Sequence, residues 1–150
     1  MIASLIMLHI YDKIPHESIP LIKDKLNKLD KLGLAKFILR LPLLRLYNIE
    51  VVFWIGGVLL GMLGIGRFMI GDKLIGTLKI TLLGLSYCIM LAGSIIGEFT
   101  EYKLLTFILI TIGYIGFIMV AIWWIVDIFL LGTKTRRKNL SKILMSFQIK

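Results

Sequence analysis

The chain has 150 residues, of which 58% are hydrophobic and 18% are charged, and its mean hydropathy is +0.90. Soluble domains are about 45–50% apolar and about 25% charged, so the composition excludes an ordinary soluble protein and a disordered one. The single cysteine excludes a disulfide framework, and the two histidines lie too far from it for a metal cluster. We therefore expect no metal and no cofactor. The composition predicts an all-α integral membrane protein in which amphipathic N-terminal helices precede a bundle of three apolar helices.

The charge divides the chain into three regions. Residues 1–49 carry +4, residues 50–131 carry −1, and residues 132–150 carry +6. Because the basic residues flank apolar runs, they are typical of membrane flanks that face anionic headgroups, and not of a nucleic-acid-binding protein. We assign 1–48 to an interfacial amphipathic region, 49–131 to the membrane domain and 132–150 to a basic tail.

The N-terminal region is predicted to contain short amphipathic helices. Residues 1–10 are apolar but lack a basic n-region and a cleavage site, which indicates a packed or interfacial segment and no export signal. Leucines at helical spacing predict a helix over 18–41 that Gly33 interrupts. Residues 34–47 mix leucines with Lys36, Arg40 and Arg45, as interfacial helices do. The alternative is a small cytoplasmic helical hairpin.

Three apolar spans follow, at about 51–70, 74–97 and 104–131. The first contains only sixteen consecutive uncharged residues, 51–66. At about 1.5 Å per residue these cover roughly 24 Å, less than a hydrocarbon core of about 30 Å. Glycines spaced for close helix packing are the candidate packing positions; they are Gly57, Gly61, Gly64, Gly93 and Gly97.

The flanking charges and the number of apolar spans favour different orientations. Basic flanks at both ends favour both termini on the cytoplasmic side, which requires an even number of crossings, whereas three spans give an odd number. Either the short first span is re-entrant, or the C-terminal flank does not follow the charge rule.

The run at 56–80 and the later IWWIVDIFLL (122–131) resemble the two-transmembrane (TM-two) domain family, in a bacterial-type member. In that family a glycine-rich span ends in an Arg-Phe turn, and a later helix carries a Trp-Trp-x-x-Asp signature. Gly66 and Met69 depart from the family's turn, and an insertion separates the turn from the signature. The resemblance covers roughly residues 18–142. The family has no generally assigned chemistry, so the resemblance implies a class of protein and not an activity. Its matching positions are Gly64, Arg67, Phe68, Gly71, Asp72, Gly76, Lys79, Trp123, Trp124, Asp127 and Asn139.

Arg67 and Asp127 form the candidate polar pair, since charges near a membrane edge usually have partners. The pair is either a structural ion pair, a headgroup contact or a functional polar site. For Asp72 we expect a solvated turn. For Lys79 we expect a side chain that snorkels to the interface, with a pore-lining or lipid-phosphate contact as the alternative.

No hydrolase, metalloprotease or nucleotide-binding motif occurs in the chain, so no catalytic residue is expected. We predict a non-enzymatic module that assembles through its helices, with itself or with another membrane protein. The alternative is an oligomeric ion-conducting pore or membrane-permeabilising protein, which Lys79 and Asp127 would line. The expected location is a bacterial inner membrane, with the N-terminus in the cytoplasm.

Overall fold

The computed structural model describes residues 2–99 and 101–148, and this part of the chain is helical without any strand. Three of its segments are long and apolar enough to cross a membrane, namely Pro42–Leu59, Lys73–Phe99 and Lys103–Phe147. The predicted all-α membrane class is therefore confirmed. The main helices are α1 (Ile2–Ile10), α2 (Ile19–Asn27), α3 (Lys31–Arg40), α4 (Ile49–Val51, continued as a π-helix over Val52–Leu59), α5 (Ile65–Met69), α6 (Lys73–Phe99) and α7 (Lys103–Gln148).

The chain forms two compact units, which we call the terminal unit (1–50 and 132–150) and the central unit (51–131). Residues 132–148, expected as a separate tail, instead continue α7 and fold with the N-terminal helices. Buried residues recur at helical spacing between the basic ones, so that one face of the helix joins the terminal unit; they are Thr135, Asn139, Ile143 and Ser146.

The terminal unit has a hydrophobic core of its own. The apolar segment at the N-terminus packs there as α1, which contributes Ile6 and Ile10. The buried core residues, from α1 through α3 to the end of α7, are Ile6, Ile10, Ile14, Ile22, Leu26, Phe37 and Ile143. The N-terminal helices therefore pack against one another and against the end of α7.

The break between α2 and α3 does not fall at Gly33. It falls at 28–30, where Asp30 is the N-cap of α3 and its Oδ1 accepts a 2.8 Å hydrogen bond from the Gly33 amide. The cap satisfies a backbone donor in the first turn. Gly33 therefore lies in the first turn of α3 and does not end α2, because the Asp30 carboxylate caps its amide and stabilises the start of the helix there.

Residues 51–70, expected as one apolar span, form a tight hairpin in the central unit. The helix α4 ends at Leu59, the chain turns over Gly61–Leu63, and α5 returns beside α4. A Cβ atom on Gly56 would lie 2.6 Å from the Cα of Gly66, so the two arms are in backbone contact. Gly64, at φ +73°, supplies the left-handed conformation that the turn requires.

The two long helices pack antiparallel in the central unit. A Cβ on Gly97 would lie 2.8 Å from Thr106 Cγ2, and one on Gly93 would lie 3.0 Å from Ile110 Cγ1. The 27 residues of α6 extend over about 40 Å at about 1.5 Å per residue, which exceeds the hydrocarbon thickness of about 30 Å.

Candidate functional site

The structure brings Arg67 of α5 and Asp127 of α7 together. The Arg67 guanidinium donates two hydrogen bonds to Asp127 Oδ1, one from Nε at 3.2 Å and one from Nη2. Arg67 is 4% exposed and Asp127 is 1% exposed. The two side chains therefore form a buried ion pair within one chain, and neither is placed to contact a lipid headgroup.

Lys79 of α6 binds the same carboxylate. Its Nζ donates a 2.9 Å hydrogen bond to Asp127 Oδ2, and the residue is fully buried. The ammonium also lies 6.0 Å from the centre of the Trp123 ring, at the outer limit of a cation–π contact. The expectation that Lys79 snorkels to an interface is wrong, because a buried carboxylate on the neighbouring helix offers its charge a partner.

Asp72 completes the charge cluster, by which we mean Arg67, Asp72, Lys79 and Asp127. Asp72 Oδ2 lies 3.4 Å from Arg67 Nη1, and the Asp72 amide donates to the Arg67 carbonyl oxygen at 2.8 Å. The side chain is 14% exposed and is not the solvated turn residue that we expected. The charge cluster contains two cations and two carboxylates and is formally neutral. Pairing of this kind offsets the free energy that is lost when charged groups are removed from water.

The turn that holds Arg67 and Asp72 depends on small residues. Gly71 has φ +80°, and a Cβ on Gly76 would lie within 2.9 Å of the Phe68 ring. Phe68 therefore covers the first turns of α6, and only a glycine at 76 admits its ring. This contact positions α5 so that Arg67 points toward α7.

Trp124 of α7 contacts the α4–α5 hairpin one helical turn before Asp127. Its Nε1 donates a 2.7 Å hydrogen bond to the Gly57 carbonyl oxygen, and its indole occupies the space that a Cβ on Gly61 would need. Gly57 lies in the last turn of the π-helix, where carbonyl groups lack intrahelical partners, and Trp124 satisfies one of them. The glycines singled out for helix packing thus contact a helix of the same chain.

Asn139 lies in the terminal unit and is not part of the charge cluster. Its side-chain amide donates to the carbonyl oxygens of Lys13 at 3.1 Å and Tyr47 at 3.0 Å. Its Oδ1 accepts from the Tyr47 amide at 2.8 Å. This buried side chain joins three separate segments of the terminal unit.

Sequence reasoning missed the packing glycines Gly56 and Gly66 of the hairpin and two further glycines on α7. A Cβ on Gly113 would lie 2.8 Å from the Ser86 carbonyl oxygen, and Gly116 faces the Ser86 hydroxyl. Their spacing of three residues on α7 was a usable signal, since small residues at helical spacing mark close contacts in membranes.

The charge cluster can hold helices together, since every member binds another member. Within 2–99 and 101–148 no group of three His, Cys, Asp or Glu side chains is arranged to hold a metal ion. No family model matches the chain, and comparisons with curated proteins and with solved structures find no match.

Proposed function

We propose that this protein is a non-catalytic membrane module that assembles with copies of itself through the outer face of α6. The observation that carries the proposal is a line of small side chains on that face, all exposed, at spacings of four, three, four and four residues. They are Thr77, Thr81, Gly84, Cys88 and Ala92, and we call them the α6 small face. No atom lies within 4 Å of a Cβ placed on Gly84.

Small residues on a lipid-facing helix favour association, because lipid provides no hydrophobic force and close backbone approach provides dispersion contacts. The packing glycines Gly57, Gly61, Gly93 and Gly97 are occupied by contacts inside the chain. The α6 small face is a surface of this type that remains uncovered. We propose that a second copy of the chain covers the α6 small face, because a twofold dimer places the same face of both partners in the interface.

The topology that we propose has two crossings, by α6 and α7, and a re-entrant hairpin formed by α4 and α5. Both flanks of the membrane domain belong to the terminal unit, which supports a topology with both flanks on one side of the bilayer. The eleven residues of α4 extend at most about 16 Å at about 1.5 Å per residue. Two crossings also agree with basic residues at both ends of the chain.

The side of the membrane that the termini face, and a bacterial origin, are proposals that rest on the sequence. The terminal unit holds fourteen Lys and Arg and five Asp and Glu. By the positive-inside rule this favours a cytoplasmic N-terminus and C-terminus. The TM-two resemblance, and with it a bacterial inner membrane, rests on the motif residues alone.

The pore alternative depended on Lys79 and Asp127 as lining residues. Both are buried in one chain and bound to each other, so this alternative gains no support from their positions. Ion flux through liposomes at low protein density would favour the pore over the assembly module.

The native Cys88 provides the test of self-assembly, since it is the single cysteine and is exposed on the α6 small face. Oxidation of native membranes should produce a disulfide-linked dimer, and Gly84→Ile should reduce its yield. The matched control is Cys88→Ser with Ile115→Cys. Ile115 is exposed on α7 at the same depth, as the packed pairs Gly97–Thr106 and Gly93–Ile110 indicate.

We expect the control to form little dimer. If Cys88 gives no more dimer than the control cysteine, self-assembly through α6 is excluded. A different protein that is recovered with the wild type and lost with Gly84→Ile would replace the second copy as the occupant.

A further inference from the structure

We propose that the outer face of α3 binds an anionic phospholipid surface while its inner face packs in the terminal unit. This goes beyond self-assembly, which uses α6. The site consists of exposed leucines beside lysines on α3, together with Leu43 of the short turn Pro42–Leu44 that follows it, and we call it the α3 outer face. Its residues are Lys31, Leu32, Ala35, Lys36, Leu39 and Leu43.

The inner side of α3 is occupied. Phe37 is buried in the core of the terminal unit and stacks on Phe147 with ring centres 4.7 Å apart. Leu34 and Leu41 also pack against this core. The helix is therefore fixed in its rotation, and the residues on its other side are held outward together.

The outer side of α3 is apolar and exposed. Leu32 is 64% exposed, Leu39 is 74% exposed and Leu43 is 77% exposed. Positions 32, 35, 36 and 39 follow the i, i+3, i+4, i+7 spacing of a single helix face. A folded unit that already has a core does not need these leucines for its own stability, so they are available to insert among lipid acyl chains.

The charge of the surrounding residues indicates which kind of surface the α3 outer face binds. Residues 31–46 contain no acidic side chain, and Lys31 and Lys36 are exposed on the same side as the leucines. The terminal unit holds the entire net charge of +9, since the central unit has four basic and four acidic residues. An apolar stripe flanked by lysines matches the boundary between acyl chains and anionic headgroups.

A bilayer is also always within reach, because the terminal unit is covalently continuous with α7, whose apolar part is long enough to cross one. An acidic protein would satisfy the lysines but would leave the leucines without an apolar partner. The lipid surface accounts for both features.

The test uses the full chain in vesicles of phosphatidylcholine, with or without phosphatidylglycerol. A fluorophore is attached at Leu39→Cys in a Cys88→Ser background and quenched by doxyl-labelled lipid. The matched control carries the label at Leu21→Cys, an exposed leucine of α2 in the same unit. Neither substitution touches the core, so folding is retained.

We expect strong quenching at 39 in phosphatidylglycerol vesicles, with weaker quenching in neutral vesicles and at position 21. Replacing Lys31 or Lys36 by Gln should lower the ratio of bound to unbound α3 about fivefold per lysine at low salt. High salt should have the same effect, since it screens surface charge.

Equal quenching at 39 and 21, or quenching that ignores both lipid charge and the two lysines, would overturn the proposal. A label at 39 that doxyl lipid does not reach, but that an added acidic polypeptide shields from aqueous iodide, would overturn it in favour of a protein partner.

Discussion

Asp127 is the acceptor on which the charge cluster depends, because its two oxygens hold cations from two different segments. Oδ1 binds Arg67 and Oδ2 binds Lys79. Among the described residues, Asp127 is the one carboxylate within 4 Å of the Lys79 ammonium. Its loss would leave a fully buried lysine without an ionic partner, whereas loss of Lys79 leaves Asp127 bound to Arg67.

Asp127→Asn should therefore destabilise the protein by about 3–5 kcal/mol, and Lys79→Met should destabilise it less. The double variant should be less damaged than the sum of the singles, since it removes both members of one pair. Thermal unfolding in detergent measures all three. Glu98→Gln, which changes an exposed carboxylate in the same manner, is the control and should have little effect. Additive losses would show that Lys79 and Asp127 are not coupled.

The sequence allowed part of this cluster to be predicted. Arg67 and Asp127 attracted attention because charges beside apolar spans need partners, and the structure places them in contact. Lys79 and Asp72 were misread because their positions along the chain do not determine which way they face. A lysine near a helix end snorkels or turns inward according to what lies opposite, and only the packing of α5, α6 and α7 supplies that information.

At the scale of elements, the α4–α5 hairpin depends on the absence of side chains where its arms meet each other and α7. Gly56 meets Gly66, and Gly61 meets Trp124. The sequence indicated the glycine spacing and the shortness of the span. It did not specify that the packing partner lies in the same chain, because glycine spacing is the same for contacts within and between chains.

Gly61→Ala should destabilise the hairpin by about 1–3 kcal/mol, because the new methyl group overlaps the Trp124 indole. Gly132→Ala is the matched control. No atom lies within 4 Å of a Cβ at 132, and the residue is inside α7. There alanine should be neutral or stabilise the helix by up to about 1 kcal/mol. If the two substitutions change the free energy of unfolding in detergent equally, the packing described for Gly61 is contradicted.

At the scale of the whole molecule, charge and hydropathy separate the two units. The central unit is formally neutral and the terminal unit carries the net charge. The sequence has an apolar centre and basic ends, but it did not indicate that the two ends fold together. That association rests on side chains such as Asn139, which bonds to backbone more than ninety positions away in the chain. No local pattern predicts a contact of that range.

The proposed topology, in which α6 and α7 each cross the bilayer, is our central claim. It requires both flanks of the membrane domain on one side of the bilayer and the α6–α7 connection on the other. Cysteine accessibility tests it directly. Single cysteines replace Lys28, Ser141 or Glu101 in a Cys88→Ser background, all three at exposed positions. They are then labelled with a membrane-impermeant maleimide in sealed vesicles of known orientation. We expect positions 28 and 141 to react from the same side and position 101 to react from the opposite side. Labelling of 28 and 141 from opposite sides would contradict the proposed topology.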